Sequence, residues 1–412
     1  MAQAIRRPRE TKPAVRKEPN RPVTTNKNLK TSKKQLPAEP RQRRLPDLDY
    51  TFLFMVILMV CTGLIMLLSA SAPTANVKFG DSYYFFKRQF GCVIVGLVGM
   101  YVVSRVDYRK YKKYVPAFMI VCTILLALVL VPGIGIKLNG SRRWLPFPGT
   151  NLQPSEFMKL AIGMFFALLI DQKVYEVNRF DTKKGIWPFL IWILIVDALM
   201  LGETHLSGAI VITGIAVTVM IAGGAKVKPF AIAGAIGLPA GVAAVYAFSP
   251  VRWERIISFL NPFADIRDTG YQVAQGLYAI GSGGIFGLGL GQSVQKYSYL
   301  PEPYNDFIFA IVCEELGLIG AVLIIALFAL LVIRGIRIAL NAPDTYSTLV
   351  VIGIMAQVVI QTALNIAVAT SSVPNTGVAL PFFSYGGTAI IALLIEMGIV
   401  LNISRYSMKK TL

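Results

Sequence analysis

Charged residues are scarce in this chain, and histidine is almost absent. Only 15% of the 412 residues are Asp, Glu, Lys or Arg, and His205 is the single histidine. A cluster of histidine metal ligands is therefore excluded, and a Ser-His-Asp triad would have to use His205, beside which no nucleophile elbow is found. The chain also lacks a Walker-type or G-x-G-x-x-G phosphate-binding motif, so no nucleotide cofactor is expected.

Cysteine is equally scarce. The four cysteines, at positions 61, 92, 122 and 313, all lie within apolar runs and show no metal-ligand spacing. Disulfide bonds and a zinc site are therefore both disfavoured.

Hydrophobic residues form most of the chain. Hydrophobic residues make up 55% of the chain and the mean hydropathy is +0.59, which is too apolar for a soluble domain. Its uninterrupted apolar runs are long enough to cross a bilayer. We therefore predict an all-α polytopic membrane protein with ten transmembrane helices. The predicted spans are 50–70, 90–106, 115–131, 154–170, 186–201, 206–222, 230–248, 307–333, 349–369 and 388–403.

Lys and Arg concentrate in alternate connections between these spans. The positive-inside rule places those connections and both termini in the cytoplasm. Most of the +19 formal charge is thus explained by topology, so nucleic acid is not expected as a partner. Residues 1–47 are predicted to form a disordered basic tail that attracts anionic membrane lipids. Docking of a cytoplasmic partner is the less favoured role for this tail. Residues 48–405 form the membrane domain, and 406–412 form a short second cytoplasmic tail.

One connection is far longer than a turn between neighbouring helices needs. Residues 249–305 form a predicted extracellular loop of 57 residues, so we expect function on the outer face. Within it, 252–260 and 271–280 mix apolar and polar residues at helical spacing, which predicts short interfacial helices. The glycine-rich stretch 281–291 is predicted to be flexible or closely packed.

Asp306 is the leading candidate for a functional acid. It begins a long apolar helix directly after Pro301-Glu302-Pro303-Tyr304-Asn305. A carboxylate at the boundary between water and hydrocarbon costs free energy unless the protein uses it. Glu302 is the reserve candidate, although its flanking prolines favour a rigid strut that positions the helix start.

Two further groups of charges lie toward the outer face. Glu156 and Lys159 are three residues apart on one helix face, which predicts an ion pair lining a cavity, with headgroup binding as the alternative. Arg142 and Arg143 offer forked donors that match phosphate oxygens. Anchoring to lipid headgroups beside Trp144 explains these two arginines equally well. The other acids inside apolar segments are predicted to make helix-packing hydrogen bonds; they are Asp197, Glu314, Glu315 and Glu396.

Three separated motifs resemble signatures of the SEDS family, whose members include FtsW, RodA and SpoVE. They are 139–159 ending in Gln-Pro-Ser-Glu-Phe-Met-Lys, 289–317 containing Leu-Pro-Glu and Asp-Phe-Ile-Phe-Ala, and 380–387 with the sequence Leu-Pro-Phe-Phe-Ser-Tyr-Gly-Gly. The resemblance covers 48–405 and looks closer to FtsW and SpoVE than to RodA. Asn305 stands where Thr is common, and 203–207 replaces the commoner Gln-Pro-Asp-Leu-Gly turn, which leaves the role of His205 open.

The resemblance implies a peptidoglycan glycosyltransferase that polymerises lipid II at the outer face of the bacterial cytoplasmic membrane. It implies a class B penicillin-binding protein as partner, together with division or elongation machinery, and Asp306 as the essential acid acting as general base. Positive charge for the departing diphosphate would come from the arginines, from Lys159 or from a divalent cation such as Mg²⁺ or Mn²⁺ held with Asp306. The candidate substrate-binding residues are then Arg142, Arg143, Glu156, Lys159, Glu302 and Ser384.

Two other functions stay open on sequence alone. A lipid II flippase would need polar groups through the full membrane depth and broken helices near the midplane. A membrane scaffold for a penicillin-binding protein would need only the apolar faces of the eighth and ninth spans.

Overall fold

The structure is a computed structural model, and it describes most of the chain from residue 48 onward. The described residues are 48–138, 141–147, 150–172, 185–248, 253, 257, 259–264 and 270–407. The predicted basic tail, most of the predicted helix at 252–260 and most of the short second tail lie outside them.

The described part of the chain is built almost entirely of helices, which confirms the predicted all-α class. The helices are α1 (Tyr50–Phe79), α2 (Tyr84–Arg105), α3 (Tyr108–Lys112), α4 (Val115–Leu130), α5 (Pro154–Asp171), α6 (Trp187–Gly202), α7 (Leu206–Ala222), α8 (Val227–Phe248), α9 (Tyr271–Gly283), α10 (Ile308–Leu340), α11 (Thr345–Ala369) and α12 (Gly387–Tyr406). Helices α1, α2, α10, α11 and α12 are long and apolar enough to cross a membrane, and α4, α6, α7 and the first part of α8 are shorter apolar helices. The chain is therefore a multi-pass membrane protein, while the count of ten spans stays a prediction.

Local sequence explains where these helices begin. The Asp49 carboxylate accepts a hydrogen bond from the Phe52 amide at 2.9 Å and so caps α1, as a short acidic side chain does at an N-cap. The predicted end of the first span at residue 70 is wrong. Helix α1 continues through Pro73, which removes only one hydrogen bond, and ends at Gly80 in the left-handed region. Helix α2 likewise begins six residues before the predicted start.

Glycines allow α2 and α12 to pack closely. A Cβ atom on Gly96 would lie 2.6 Å from the Leu394 side chain, and one on Gly398 would lie 2.7 Å from the Met100 carbonyl oxygen. Small residues at a helix interface let the backbones approach, which is the main source of packing energy between helices in lipid.

One end of the bundle is held together by charged pairs. Asp49 forms a salt bridge with Arg334 of α10 at 2.8 Å, and Lys112 pairs with Asp171 at the end of α5. The Tyr108 hydroxyl donates to Asp344 before α11. The starts of α1 and α11 therefore meet the ends of α5 and α10, which is the end that the positive-inside rule assigns to the cytoplasm.

A small antiparallel sheet at the opposite end was not predicted. Its strands β1 (Ile136–Leu138), β2 (Ser141–Phe147) and β3 (Thr150–Leu152) lie in the order β1-β2-β3. Arg142 pairs with Lys137 across the sheet, and Leu145 pairs with Leu152. The sheet fills the connection from α4 to α5 and leads directly into Pro154, the first residue of α5.

Helix α10, which contains the predicted span 307–333, is broken at Gly317. Gly317 has φ 67° and ψ −169°. The glycine-rich segment 284–289 supplies the hydrogen bonds that the break would otherwise lose. The amides of Leu318 and Ile319 donate to the carbonyls of 284 and 285 at 2.9 and 3.2 Å, while the amides of 288 and 289 donate to the carbonyls of 314 and 315 at 3.0 Å each.

Close packing explains the glycines of this segment. A Cβ atom on Gly287, which has φ 81°, would lie 2.2 Å from the Glu315 carbonyl oxygen. Only glycine tolerates both that approach and that backbone conformation. Of the two predicted properties, flexibility and close packing, close packing is confirmed.

The buried acids of α10 bind the outer loop. The Glu314 carboxylate accepts from the Ser293 hydroxyl at 2.5 Å and from the Val294 amide at 2.9 Å. Glu315 forms a buried salt bridge with Lys296 at 2.8 Å and accepts from Ser69 of α1. Their partners are thus mainly loop groups rather than helices, contrary to the prediction.

The predicted helix-packing bonds are present for the other two buried acids. Asp197 of α6 accepts from Thr213 of α7 at 2.6 Å. Glu396 of α12 accepts from Gln357 of α11 at 2.9 Å.

Candidate active site

A cavity of about 1320 Å³ opens at the end of the bundle opposite the charged pairs. Its walls include parts of α2, β2 and α5, the turn between α6 and α7, the approach to α10, and the segment between α11 and α12. Five of the seven predicted site residues line it: Arg143, Glu156, Lys159, Glu302 and Asp306. Arg142 and Ser384 are not among the lining residues, and their contact with a substrate stays a prediction.

The turn before α10 places Asp306 in the cavity wall. Glu302 has a left-handed backbone, with φ 43°, and its carbonyl accepts from the Asn305 amide at 3.0 Å. The Glu302 carboxylate also accepts from the Asn305 side-chain amide at 2.8 Å. Both hydrogen bonds from Asn305 to Glu302 therefore shape the turn, as expected of a strut beside the helix start.

Three successive carbonyl groups hold this turn against other parts of the chain. Tyr304 accepts from the Tyr385 amide at 2.9 Å, and Asn305 accepts from the Ser384 hydroxyl at 2.5 Å. Asp306 accepts from the side-chain amide of Asn365 at 2.7 Å. Because hydrogen bonds fix both distance and direction, the backbone beneath the Asp306 carboxylate has one defined position.

Ser384 supports the site from behind the cavity wall. Its hydroxyl donates to the Asn305 carbonyl and accepts from the Leu380 amide at 2.8 Å. Both partners belong to the protein, and the side chain is buried. The motif 380–387 therefore reaches the site by binding the motif that carries Asp306.

Asn365 belongs to a polar stripe on α11 that the sequence analysis missed. Gln357, Gln361 and Asn365 recur every four residues and so share one helix face. Gln357 binds Glu396, Gln361 lines the cavity and Asn365 binds the Asp306 carbonyl. Amides at this spacing in an otherwise apolar helix were the available signal, because buried amides in a membrane helix need partners.

The segment after α11 passes close to Asp306. A Cβ atom on Gly377, which has φ 65°, would lie 3.7 Å from an Asp306 carboxylate oxygen. Asn375 donates to Gln272 of α9 at 2.9 Å, and Ser207 of α7 donates to the Thr376 carbonyl. This segment closes the cavity between the outer loop and α7.

The wall formed by α5 and the turn between α6 and α7 is cationic. Lys159 is 4% exposed and pairs with Glu156 at 2.7 Å, which is the predicted ion pair. Arg143 donates to the Thr204 carbonyl at 2.8 Å. The positive charge on this wall suits an anionic ligand.

The turn between α6 and α7 carries two buried titratable groups, Glu203 and His205, and His205 also lines the cavity. Burial raises the pKa of Glu203 to about 8, against the opposing effect of Arg143. Burial lowers the pKa of His205 to about 3, and the charges of Arg143 and Lys159 lower it further. Both groups are therefore largely uncharged at neutral pH, so neither adds a full charge to this wall.

The carboxylates of the cavity do not form a metal cage. Within the described ranges, no group of three His, Cys, Asp or Glu side chains could hold a metal ion. Asp306 and Glu302 are both in the wall. Mg²⁺ is usually bound by one or two carboxylates together with phosphate oxygens of the substrate. Asp306 and Glu302 fit such a shared site and not a site made of protein ligands only.

Curated relatives match nearly the whole chain. The chain is 43% identical over 359 residues to stage V sporulation protein E of Bacillus subtilis, which covers 87% of this chain and 97% of the relative. It is 40% identical over 357 residues to the probable peptidoglycan glycosyltransferase FtsW of Geobacter metallireducens, with coverage of 86% and 94%.

Solved structures share the architecture. A chain from a peptidoglycan synthase complex, described as coordinating polymerization and crosslinking, has a TM-score of 0.73 at 26% identity and covers 87% of this chain and 98% of its own. The rod shape determining protein RodA of Thermus thermophilus has a TM-score of 0.64 at 25% identity, with coverage of 88% and 98%. The FtsW/RodA/SpoVE family model, described as cell cycle protein, matches residues 49–409. The chain therefore belongs to the FtsW/RodA/SpoVE family, on the FtsW and SpoVE side of it.

Proposed function

We propose that this protein is a peptidoglycan glycosyltransferase that polymerises lipid II at the outer face of the bacterial cytoplasmic membrane, with Asp306 as general base. The activity is that named for the FtsW relative at 40% identity. The observation that carries the proposal is the shared cavity, in whose wall Asp306 stands together with the cations Arg143 and Lys159.

The reaction requires a base on one side and positive charge on the other. Asp306 accepts the proton of the acceptor sugar hydroxyl while the hydroxyl oxygen bonds to the anomeric carbon of the donor. The bond from that carbon to the donor diphosphate breaks, with inversion, and both bonding electrons leave with the diphosphate. Arg143 and Lys159 stabilise that departing charge, so no general acid is needed.

A divalent cation is a proposed addition to this scheme. Asp306 and Glu302 would hold it together with diphosphate oxygens of the substrate. Such an ion supplies charge neutralisation and makes a bound hydroxyl more acidic. The polymerisation rate measured with Mg²⁺, with Mn²⁺ and with a chelator decides whether the protein uses one.

A class B penicillin-binding protein is the proposed partner. The structural relative with a TM-score of 0.73 comes from a peptidoglycan synthase complex that couples polymerization to crosslinking. We expect this chain to act in such a complex during division or a related process of wall synthesis.

The decisive experiment is polymerisation of purified lipid II by the full chain with its partner present. Asp306→Asn should reduce polymer formation by at least about 100-fold, because general-base catalysis is lost while the shape is kept. Asp81→Asn is the matched control, since Asp81 is an acid on the same side that pairs with Lys87 outside the cavity lining. Undiminished polymerisation by Asp306→Asn would show that this carboxylate is not the base.

The same preparation tests the flippase alternative. The break in α10 is a feature that a flippase predicts, but it lies nine residues from the start of the helix and not near its middle. Wild-type protein that moves lipid II between leaflets of a vesicle, without making polymer even with its partner, would favour the flippase. Polymer formation without such movement would favour the synthase.

A further inference from the structure

Arg88 of α2 is a cation of the cavity wall that the proposed chemistry leaves unused. It lines the cavity near Cys92, Tyr385 and Gly386, and its side chain is exposed. Within the described residues, the salt bridges pair other cations, and no carboxylate pairs with Arg88. A guanidinium that has no carboxylate partner in a cavity wall can bind an anionic group of a ligand.

Aromatic residues fix the position of Arg88. Its guanidinium lies 4.8 Å from the centre of the Tyr84 ring. Burial raises the pKa of Tyr385, and a hydrogen bond and the positive charge of Arg88 oppose that rise. Both neighbours leave donors of the guanidinium free, because a ring face and one hydroxyl cannot occupy all five N–H groups.

This part of the wall is packed directly onto the turn of Asp306. Phe85, three residues before Arg88, stacks on Tyr304 with ring centres 4.4 Å apart. It also meets Tyr385 edge-on at 5.0 Å. Arg88 therefore belongs to the Asp306 side of the cavity, whereas Arg143 and Lys159 belong to the wall formed by α5, β2 and the turn before α7.

The depth of Arg88 matches the phosphates of the outer leaflet. Arg105, at the other end of α2, is seventeen residues away, which is about 25 Å along a helix. The hydrocarbon core of a bilayer is about 30 Å thick, so a helix that crosses it would place these two arginines near its two boundaries. Phe90 and Ile94 beside Arg88 are exposed on the outer surface of α2, as lipid-facing residues are.

We propose that Arg88 binds the diphosphate of a second lipid-linked substrate, which reaches the cavity from the outer leaflet along α2. The inference rests on the proposed function, because joining two lipid-linked sugars brings two diphosphates to one cavity. The wall with Arg143 and Lys159 holds the diphosphate that leaves. Arg88 holds the diphosphate of the substrate whose sugar hydroxyl faces Asp306, and that diphosphate stays intact.

The test compares Arg88→Gln with Lys87→Gln in the full chain with its partner. Lys87 is the adjacent cation, but its side chain is 67% exposed and it does not line the cavity. Arg88→Gln should raise the half-saturating lipid II concentration by roughly tenfold or more, with a much smaller change in the maximal rate, because a charge-assisted hydrogen bond to substrate is lost. Lys87→Gln should leave both unchanged.

A binding measurement separates the sources of the phosphate. Undecaprenyl diphosphate bound to the purified protein is measured by native mass spectrometry beside phosphatidylglycerol and inorganic diphosphate. Wild type should bind two undecaprenyl diphosphates, and Arg88→Gln should lose one of them while it keeps phosphatidylglycerol. Equal loss of both lipids would make Arg88 a membrane anchor only, and equal displacement by inorganic diphosphate would make the site one for free diphosphate; either result overturns the proposal.

Failure of the proposed function gives a different pattern. Asp306→Asn should make no polymer yet bind undecaprenyl diphosphate like the wild type, so the binding assay stands even if wild type proves inactive. Should Arg88→Gln fold poorly, Arg88→Lys decides, since lysine keeps the charge but loses the fork. An unchanged half-saturating concentration in Arg88→Lys would then overturn the proposal, and an intermediate increase would support it.

Discussion

The side-chain amide of Asn365 donates hydrogen bonds to two main-chain carbonyls, that of Asp306 at 2.7 Å and that of Val378 at 2.8 Å. Asn365 itself is fully buried in α11. One side chain thus ties the residue proposed as the base to the segment that passes over it. Asn365 is a positioning residue, since it acts through the backbone of Asp306.

Replacing Asn365 by Asp should lower the maximal rate of polymerisation. A carboxylate cannot donate to either carbonyl, and it adds negative charge beside Asp306. We expect a loss of roughly 10- to 100-fold in kcat with a smaller change in KM, and a shifted pH profile of the rate. Asn341→Asp is the control, because Asn341 makes the same kind of bond to the Arg337 carbonyl at an exposed helix end. Equal effects of the two variants would contradict this role.

Removing the Ser384 hydroxyl should weaken the same turn from the other side. Ser384→Ala leaves the Asn305 carbonyl and the Leu380 amide without their bridge, so we expect kcat to fall by about tenfold. Ser372→Ala removes an exposed hydroxyl from the same connection and should leave the rate unchanged. A large rise in KM with unchanged kcat would instead favour direct contact between Ser384 and substrate.

The buried pair of Lys296 and Glu315 predicts a non-additive effect on stability. Lys296→Met leaves an unpaired carboxylate in a site where the Glu315 side chain is 0% exposed, which should cost about 3–5 kcal/mol. Adding Glu315→Gln removes that charge and should restore much of the loss. Thermal unfolding in detergent compares the variants. A double variant as unstable as the sum of the two single variants would show that the pair is not coupled.

Alanine substitutions at two glycines of the outer segment distinguish the cost of a steric clash from the cost of backbone strain. Gly287 and Gly291 both have positive φ, but a Cβ atom would collide with the Glu315 carbonyl only at Gly287. Gly291→Ala should cost about 1 kcal/mol of stability, the usual penalty for alanine in this region. Gly287→Ala should cost clearly more and lower the yield of folded protein. Equal melting temperatures would show that 284–289 does not pack against α10 as described.

The turn between α6 and α7 predicts two opposite dependences of stability on pH. The pKa of His205 is lowered from 6.5 to about 3, so the folded state resists protonation and stability falls as the pH falls below 6.5 toward 3. The pKa of Glu203 is raised from 4.5 to about 8, so stability falls as the pH rises from 4.5 through 8.

Neutral isosteres test these two dependences one at a time. His205→Gln should flatten the change in melting temperature between pH 7 and pH 5, and Glu203→Gln should flatten it between pH 6 and pH 9. A variant that follows the wild-type profile in its own range would show that its residue is not responsible.

The sequence was informative wherever a local pattern decides the structure. The predicted span 206–222 coincides with α7, because an unbroken apolar run between two polar turns defines both ends of the helix. The end of α1 was missed because the predicted span follows the apolar run, whereas the helix continues through Pro73 and the more polar residues up to Phe79. The sheet β1-β2-β3 was missed because its strands are short, and their pairing with each other is not visible in the local sequence.

The same distinction holds for the candidate site, part of which was predicted from local sequence and part of which was not. Charged residues such as Asp306, Glu156 and Lys159 were predicted to matter because charge at a membrane boundary needs a cause, and all three line the cavity. The supports of Asp306 were not predicted. Asn365 is 59 residues away and Ser384 is 79 residues from Asn305, and no local pattern encodes a contact over such separations.

The break in α10 has a consequence for how the two sides of the membrane communicate. Four main-chain bonds join 284–289 to both halves of the interrupted helix, and 293–296 is bound in addition to Glu314 and Glu315. Tilting of the long lower half of α10 cannot occur without dragging the outer loop and the start of the helix with it. A protein that binds α10 within the bilayer and tilts it would therefore also move the carboxylate of Asp306.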